Sequence, residues 1–440
     1  MNDLTRGNEF KTILSFSIPF LIGNLLQQLY NVADSIVVGN FLGKESLAAV
    51  GFSFQISSLL IIISIGITMG TSILVSRCIG ERKLQRVKVL MDTGIGFSLL
   101  LSIIFAVMLF VFSNPILHVF RMPAETLELS NTYLRIVCIG ILPTFGYNAL
   151  TNILRGIGDS KTPTIILVFA SLLNIALDLL LVAVIPLGVA GAAIATVIAQ
   201  FFSWIGCTIY INHRYPEFRI RMTQLKFEWV ELKNTLKIGI PTMIQQAFIS
   251  IGFLTIQYLI NGFGTNCIAA FTAASKIDGF AQIPAANLGK AIPNFVAQNL
   301  GANQPNRVSK GCRIAFFMCI VLSIAISTVI LALPVTFIRL FNNDPAVIEI
   351  GKEYLRIVAI FYWIMGLMQL INGIIMGYGK TVVPMIASIA SLCLLQVPVA
   401  ILLSGTALGH TGIWIAAPIG WAGGLLIRLI YYIHISKKNC

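Results

Sequence analysis

Charge is scarce in this sequence. Asp, Glu, Lys and Arg make up 11% of its 440 residues, against 57% hydrophobic. So few charges cannot cover the surface of a soluble protein of this length, so a water-soluble fold is excluded. Histidine is scarcer still: four residues, dispersed along the chain, give no support to a metal site. The eight cysteines, at 78, 138, 207, 267, 312, 319, 393 and 440, contain no CxxC pair and are read as small apolar side chains. There is no metal-ligand set, phosphate-binding motif or nucleophile beside a base, so an integral-membrane enzyme is the weakest functional class. The first apolar run is too long for a cleaved leader and lacks a small-residue cleavage site, so it is expected to be a retained helix.

What the chain has is apolar runs of about 20 residues, the length a helix needs to cross a hydrocarbon core of roughly 30 Å. Twelve are expected as helices: α1 13–39, α2 50–76, α3 90–112, α4 132–154, α5 164–185, α6 190–211, α7 236–262, α8 271–298, α9 312–333, α10 353–375, α11 383–404 and α12 412–434. The fold class is therefore all-α and integral to a membrane. With the N-terminus inside, the cytoplasmic ends and loops hold 21 Lys and Arg and the external loops 6. That bias puts both termini in the cytoplasm and accounts for the net charge of +13 without nucleic acid.

The chain is written twice. At a shift of 221 residues YLRIV at 133–137 meets YLRIV at 354–358, Gly80 meets Gly301, Pro163 meets Pro384, and Gly188 and Gly191 meet Gly409 and Gly412. At a shift of 222, Pro19 meets Pro241 and Phe41 meets Phe263. Such ordered landmarks mark an internal repeat. Six helices per copy return the second copy to the membrane in the same orientation, so the repeats are parallel. Two six-helix lobes, 1–212 and 235–440, are expected around a basic cytoplasmic linker, 213–234, with the substrate pathway between the lobes. Pro19 and Pro241 are candidate bending points in α1 and α7.

Polar residues kept in one copy only are candidates for function. Asp34 corresponds to Ile256, Asn174 to Leu395, Asp178 to Val399 and Thr196 to Ala417, whereas Tyr133 keeps its counterpart Tyr354. Counting at 1.5 Å per residue places all five in the outer half of the membrane. Asn174 and Asp178, four apart, share a helix face. An intramembrane acid costs roughly 2.5 to 3.5 kcal/mol, which favours a functional role for both aspartates. Two carboxylates confined together repel when both are ionised, so such a pocket can take up and release a proton. Hydrogen-bond cross-links between helices are the alternative for Asn174, Tyr133 and Thr196. In the second copy Asp278 is expected in a structural pairing and Lys276 beside the cavity. Gln27, Tyr30, Asn31, Gln245 and Gln246 are further candidates for a mixed polar and apolar substrate cavity.

The stretches SIPFLIGNLLQQLYNVADSIVVGNFLG, SRCIGERK, AQNLGANQP, RGIGDSKTP, SLLNIALDLLLV and VAGAAIATVIAQ together resemble the multidrug and toxic compound extrusion (MATE) family. The likeness covers nearly the whole chain. It implies a twelve-helix exporter that opens alternately to either side and exchanges H+ or Na+ for drugs. It is similar to the DinF-type and multidrug-export branches, whose coupling ion binds in the N-terminal lobe; the matching positions are Asp34, Tyr133, Asn174, Asp178 and Thr196. Acids that another branch carries within α7 and α10 are read as unmatched. The expected activity is antiport of amphipathic, often cationic compounds against H+, with Na+ at Asp34, Asn174 and Asp178 as the alternative ion and no other cofactor. The expected setting is the inner (plasma) membrane, with the bilayer and small molecules as partners and the chain a monomer. A flippase for a lipid-linked sugar competes, but would need embedded basic residues for a pyrophosphate, and few are present.

Overall fold

A computed structural model describes residues 3–119 and 122–439, leaving out the side chains of residues 29, 31–33, 44, 124, 438 and 439. Every regular element among the described residues is helical. Eleven helices there are long and apolar enough to cross a bilayer. The expected twelfth, α8, is Thr265–Gly301, a 37-residue helix made less apolar by Lys276, Asp278 and Lys290.

α1 and α2 lie within one helical stretch, Glu9–Gly80, broken at Gly43, whose φ of 82° and ψ of −178° are open to glycine and costly to other residues. α3 is Leu84–Val119 and α4 is Ala124–Ile157. α5 is Lys161–Asp178, continued by a π-helical turn, Leu179–Val184, and α6 is Val189–Arg214. α7 is Trp229–Asn261 and α9 is Pro305–Ala332, followed by a short helix, Pro334–Arg339. α10 comes in two pieces, Pro345–Val358 and Tyr362–Gly377, separated by a 3-10 turn, Ala359–Phe361. α11 is Val382–Ile389 and Val397–Ser404 around a π-helical stretch, Ala390–Gln396, and α12 is His410–Asn439.

The chain divides into two compact units, and the first is built on Ile18–Met243. Its core joins α3 and α4 through Leu90, Ile95, Leu150 and Ile153, and Tyr215, Phe218 and Ile220 of the linker close one end. The linker is fastened rather than loose. Asn212 brackets Ile220, accepting its N–H at 2.6 Å and donating to its carbonyl at 3.2 Å. Asp92 accepts from Lys226 N and Thr93 Oγ1 from Glu228 N, and Arg86 pairs with Glu231 at 2.6 Å.

The second unit is Leu4–Ser17 with Ile244–Cys440. The start of the chain thus packs with α8 and α9: Leu4 is buried, its N–H donates to Gln298 Oε1 at 3.0 Å, and Arg307 donates to the carbonyls of Arg6 and Gly7 at 2.8 and 2.6 Å. The core of this unit stacks Phe271 on Trp414, centroids 5.7 Å apart, with Tyr354 edge-on to Trp414 at 4.9 Å. Close approach of α8 and α10 requires Gly373, where a Cβ would fall 2.1 Å from Gly289 O.

Candidate functional site

Within the first unit four helices bring the five expected polar residues together. Asp178 ends the regular part of α5, and the chain then widens into the π-helical turn. Such turns recur at functional sites because they swing one side chain out of helical register. Asn174, one turn earlier, is the connector. With its amide turned so that both atoms are satisfied, its nitrogen donates to Asp178 Oδ2 at 2.8 Å and its oxygen accepts from Thr196 N at 3.2 Å. Asp34 of α1 lies beside Asp178 across the helix interface. Tyr133 of α4 and Tyr30 of α1 both meet the Thr196 side chain.

The surroundings are apolar. Asp178 and Asn174 are fully buried, and Val37, Val38, Val50, Val182, Val189 and Ala192 pack around Tyr133. One oxygen of each aspartate, Asp34 Oδ1 and Asp178 Oδ1, is buried without a partner. Among the described residues no basic side chain pairs with either acid. Two adjoining carboxyl groups can share one hydrogen, whereas two ionised carboxylates have no donor and repel one another. The arrangement can therefore hold a proton.

The other expected residues are spread out. Gln27 and Gln246 are exposed, and the side chain of Asn31 lies outside the described residues. Gln245 is buried and spent on Asn372 Oδ1 at 2.9 Å and Ser388 Oγ at 2.8 Å. Lys276 is exposed, its Nζ 5.3 Å above the Phe341 ring. The helix runs through Pro19 without a non-helical residue, and the Pro19 carbonyl accepts from Thr164 Oγ1 at 2.9 Å. Tyr30, expected beside substrate, instead joins the Asp34 network; its spacing of four residues from Asp34 was the available signal.

The equivalent place in the second unit is filled with hydrocarbon and aromatic rings. Ile256 stands for Asp34, and Trp414 stands where the first copy has Ala193. Sequence reasoning passed over two features of this unit. Arg428 of α12 is buried and donates to the carbonyls of Gly424 and Pro384 and to Ser388. Two acids do belong to α10, Glu349 and Glu353; Glu353, which opens the expected run, accepts from Thr411 at 2.5 Å and meets His410 at 3.3 Å. The reading of α10 as free of acids is corrected accordingly.

The profile of the MatE family matches residues 19–180 and 241–402, once in each half. The "Probable multidrug resistance protein YoeA" of Bacillus subtilis (strain 168) is 30% identical over 99% of this chain and 96% of its own length. The "Probable multidrug resistance protein YpnP" of the same organism is 31% identical over 98% and 96%. A solved structure described as "Crystal structure of MATE in the bent conformation" superposes with a TM-score of 0.93 at 25% identity, covering 99% of this chain and 97% of its own.

Proposed function

The chain belongs to the MatE family of efflux transporters, and from that membership we propose that it exports amphipathic, often cationic compounds in exchange for H+. Efflux rather than catalysis is the family's work, and relatives named as multidrug resistance proteins support the substrate class. The observation that carries the proton assignment is the adjoining pair of carboxyl groups, Asp34 and Asp178, each with a buried unpartnered oxygen and no basic partner among the described residues. With one proton between them the acids attract, and with none they repel at close range in a low dielectric. Loading and release therefore change the contact between α1 and α5. Substrate and proton, preferring different states, then drive one another by their differential affinities.

Na+ is the second choice. Asn174 turns a nitrogen toward Asp178, where a cation would want an oxygen. A pyrophosphate-binding flippase fits less well, because buried Arg428 is occupied by backbone carbonyls. The reading includes a monomer in the cytoplasmic membrane with both termini inside.

The test is export of a cationic dye by protein reconstituted in liposomes under an imposed pH gradient. Asp34→Asn should abolish proton-driven export, and Asp178→Asn should weaken it strongly, with both proteins folded and inserted. Undiminished proton-driven export by Asp34→Asn would remove the site from the mechanism. Transport driven by sodium alone and indifferent to a protonophore would keep the site and replace the ion.

A further inference from the structure

A second buried acid lies outside the site just described. Asp278 of α8 is almost fully enclosed in the second unit, and each of its oxygens accepts from a phenol: Oδ2 from Tyr354 and Oδ1 from Tyr362. It has no counter-ion among the described residues. The charged and titratable groups on the elements around it are engaged elsewhere or face outward. Lys276, two residues away, lies over Phe341. On α10, Glu353 is held by His410 of α12 and Thr411, Lys352 pairs with Glu349 at 2.9 Å, and Arg356 is exposed. Arg339 of the short helix and Tyr258 of α7 are exposed as well, and Cys267 of α8 and Cys319 of α9 are buried free thiols.

Three observations set this acid apart from an ordinary helix cross-link. First, it exists in one copy only: at the shift of 221, Asp278 corresponds to Ser57 and Tyr362 to Ile141. Second, Tyr354 is the counterpart of Tyr133, so the tyrosine common to both copies attends an acidic site in each unit. Third, the two tyrosines stand on opposite sides of the 3-10 turn that interrupts α10. A short 3-10 stretch in the middle of a helix is where a hinge is expected. The first copy has no such turn, since α4 runs unbroken from Ala124 to Ile157. Ser327 of α9 donates to Ala359 O at 2.7 Å, a carbonyl that also accepts the Tyr362 N–H within the turn.

We propose that Asp278, with Tyr354 and Tyr362, is a second proton-binding site, and that its protonation state sets how firmly the two pieces of α10 are clamped to α8. The ionised carboxylate accepts both phenolic hydrogens and ties both pieces to one point. A protonated carboxyl carries its own hydrogen on one oxygen, so one phenol must turn from donor to acceptor or let go. The bond that changes lies across the turn. The ligand is a proton rather than a metal cation because both carboxylate oxygens already face O–H donors. This site does not depend on Asp34 or Asp178, which lie in the other unit.

Infrared difference spectroscopy between acid and alkaline pH on liposome-reconstituted protein reads the carboxyl directly, without transport. The Asp34→Asn/Asp178→Asn double variant, which lacks the first site, should still show a protonated-carboxyl band with a tyrosine band changing alongside it. Adding Asp278→Asn should remove both changes. Tyr362→Phe keeps the acid and should shift the carboxyl band, which leaves a test in hand if Asp278→Asn does not fold. A double variant with no pH-dependent carboxyl band, or a band unmoved by Asp278→Asn and by Tyr362→Phe, would overturn the proposal. So would a spectrum that responds to sodium and not to pH.

Discussion

Asn174 shows how much one amide can organise. It gives a hydrogen to Asp178 and takes one from Thr196 N, so it fixes the distance between α5 and α6 at the acidic pair. Asn174→Leu would leave a buried carboxylate oxygen without its donor, a loss of about 1–3 kcal/mol. Proton-driven export should fall roughly tenfold or more on that scale, and the melting temperature should fall by a few degrees. A variant that exports like wild type across the pH range would show that the amide has no part in proton binding. The five residues of this network were legible in the sequence because the duplication separates what each copy needs for folding from what one copy alone retains. The partners of Asp278 were not. Tyr354 and Tyr362 lie 76 and 84 residues away on another helix, and no spacing rule links them to it.

Among the helices, the apolar runs marked nearly every span, because bilayer thickness sets their length and hydrocarbon sets their composition. α8 was counted among the apolar runs despite Lys276, Asp278 and Lys290. The interruptions were hidden. The π-helical turns after Asp178 and in α11, and the 3-10 turn in α10, arise from packing and leave no period in the sequence. The break at Gly43 offers a clean measure of backbone strain, since a Cβ there would meet nothing within 4 Å. Gly43→Ala therefore adds no clash and only the cost of a left-handed φ, about 1–2 kcal/mol. Its melting temperature should fall by a few degrees, with the dye-export activity of the folded fraction retained. An unchanged melting temperature would mean that the turn relaxes to accommodate the side chain.

Across the whole chain, the duplication and the distribution of basic residues lead to a single topology. An even number of helices per copy makes the repeats parallel, and the proposal that both termini face inward rests on 21 basic residues against 6. The linker holds much of that charge, yet Asp92, Thr93, Glu231 and Asn212 dock it firmly, so its basic residues lie on a fixed surface of the first unit. Two single cysteines in a cysteine-free background test the orientation. Gln224 lies in an exposed part of the linker, and Asn343 lies in the loop between the short helix after α9 and α10. In intact cells a membrane-impermeant maleimide should label Asn343→Cys and spare Gln224→Cys until the membrane is opened. Labelling of Gln224→Cys in sealed cells would invert the topology. It would also place the outer half, where Asp34 and Asp178 are counted to lie, on the side from which an inward proton gradient cannot load them.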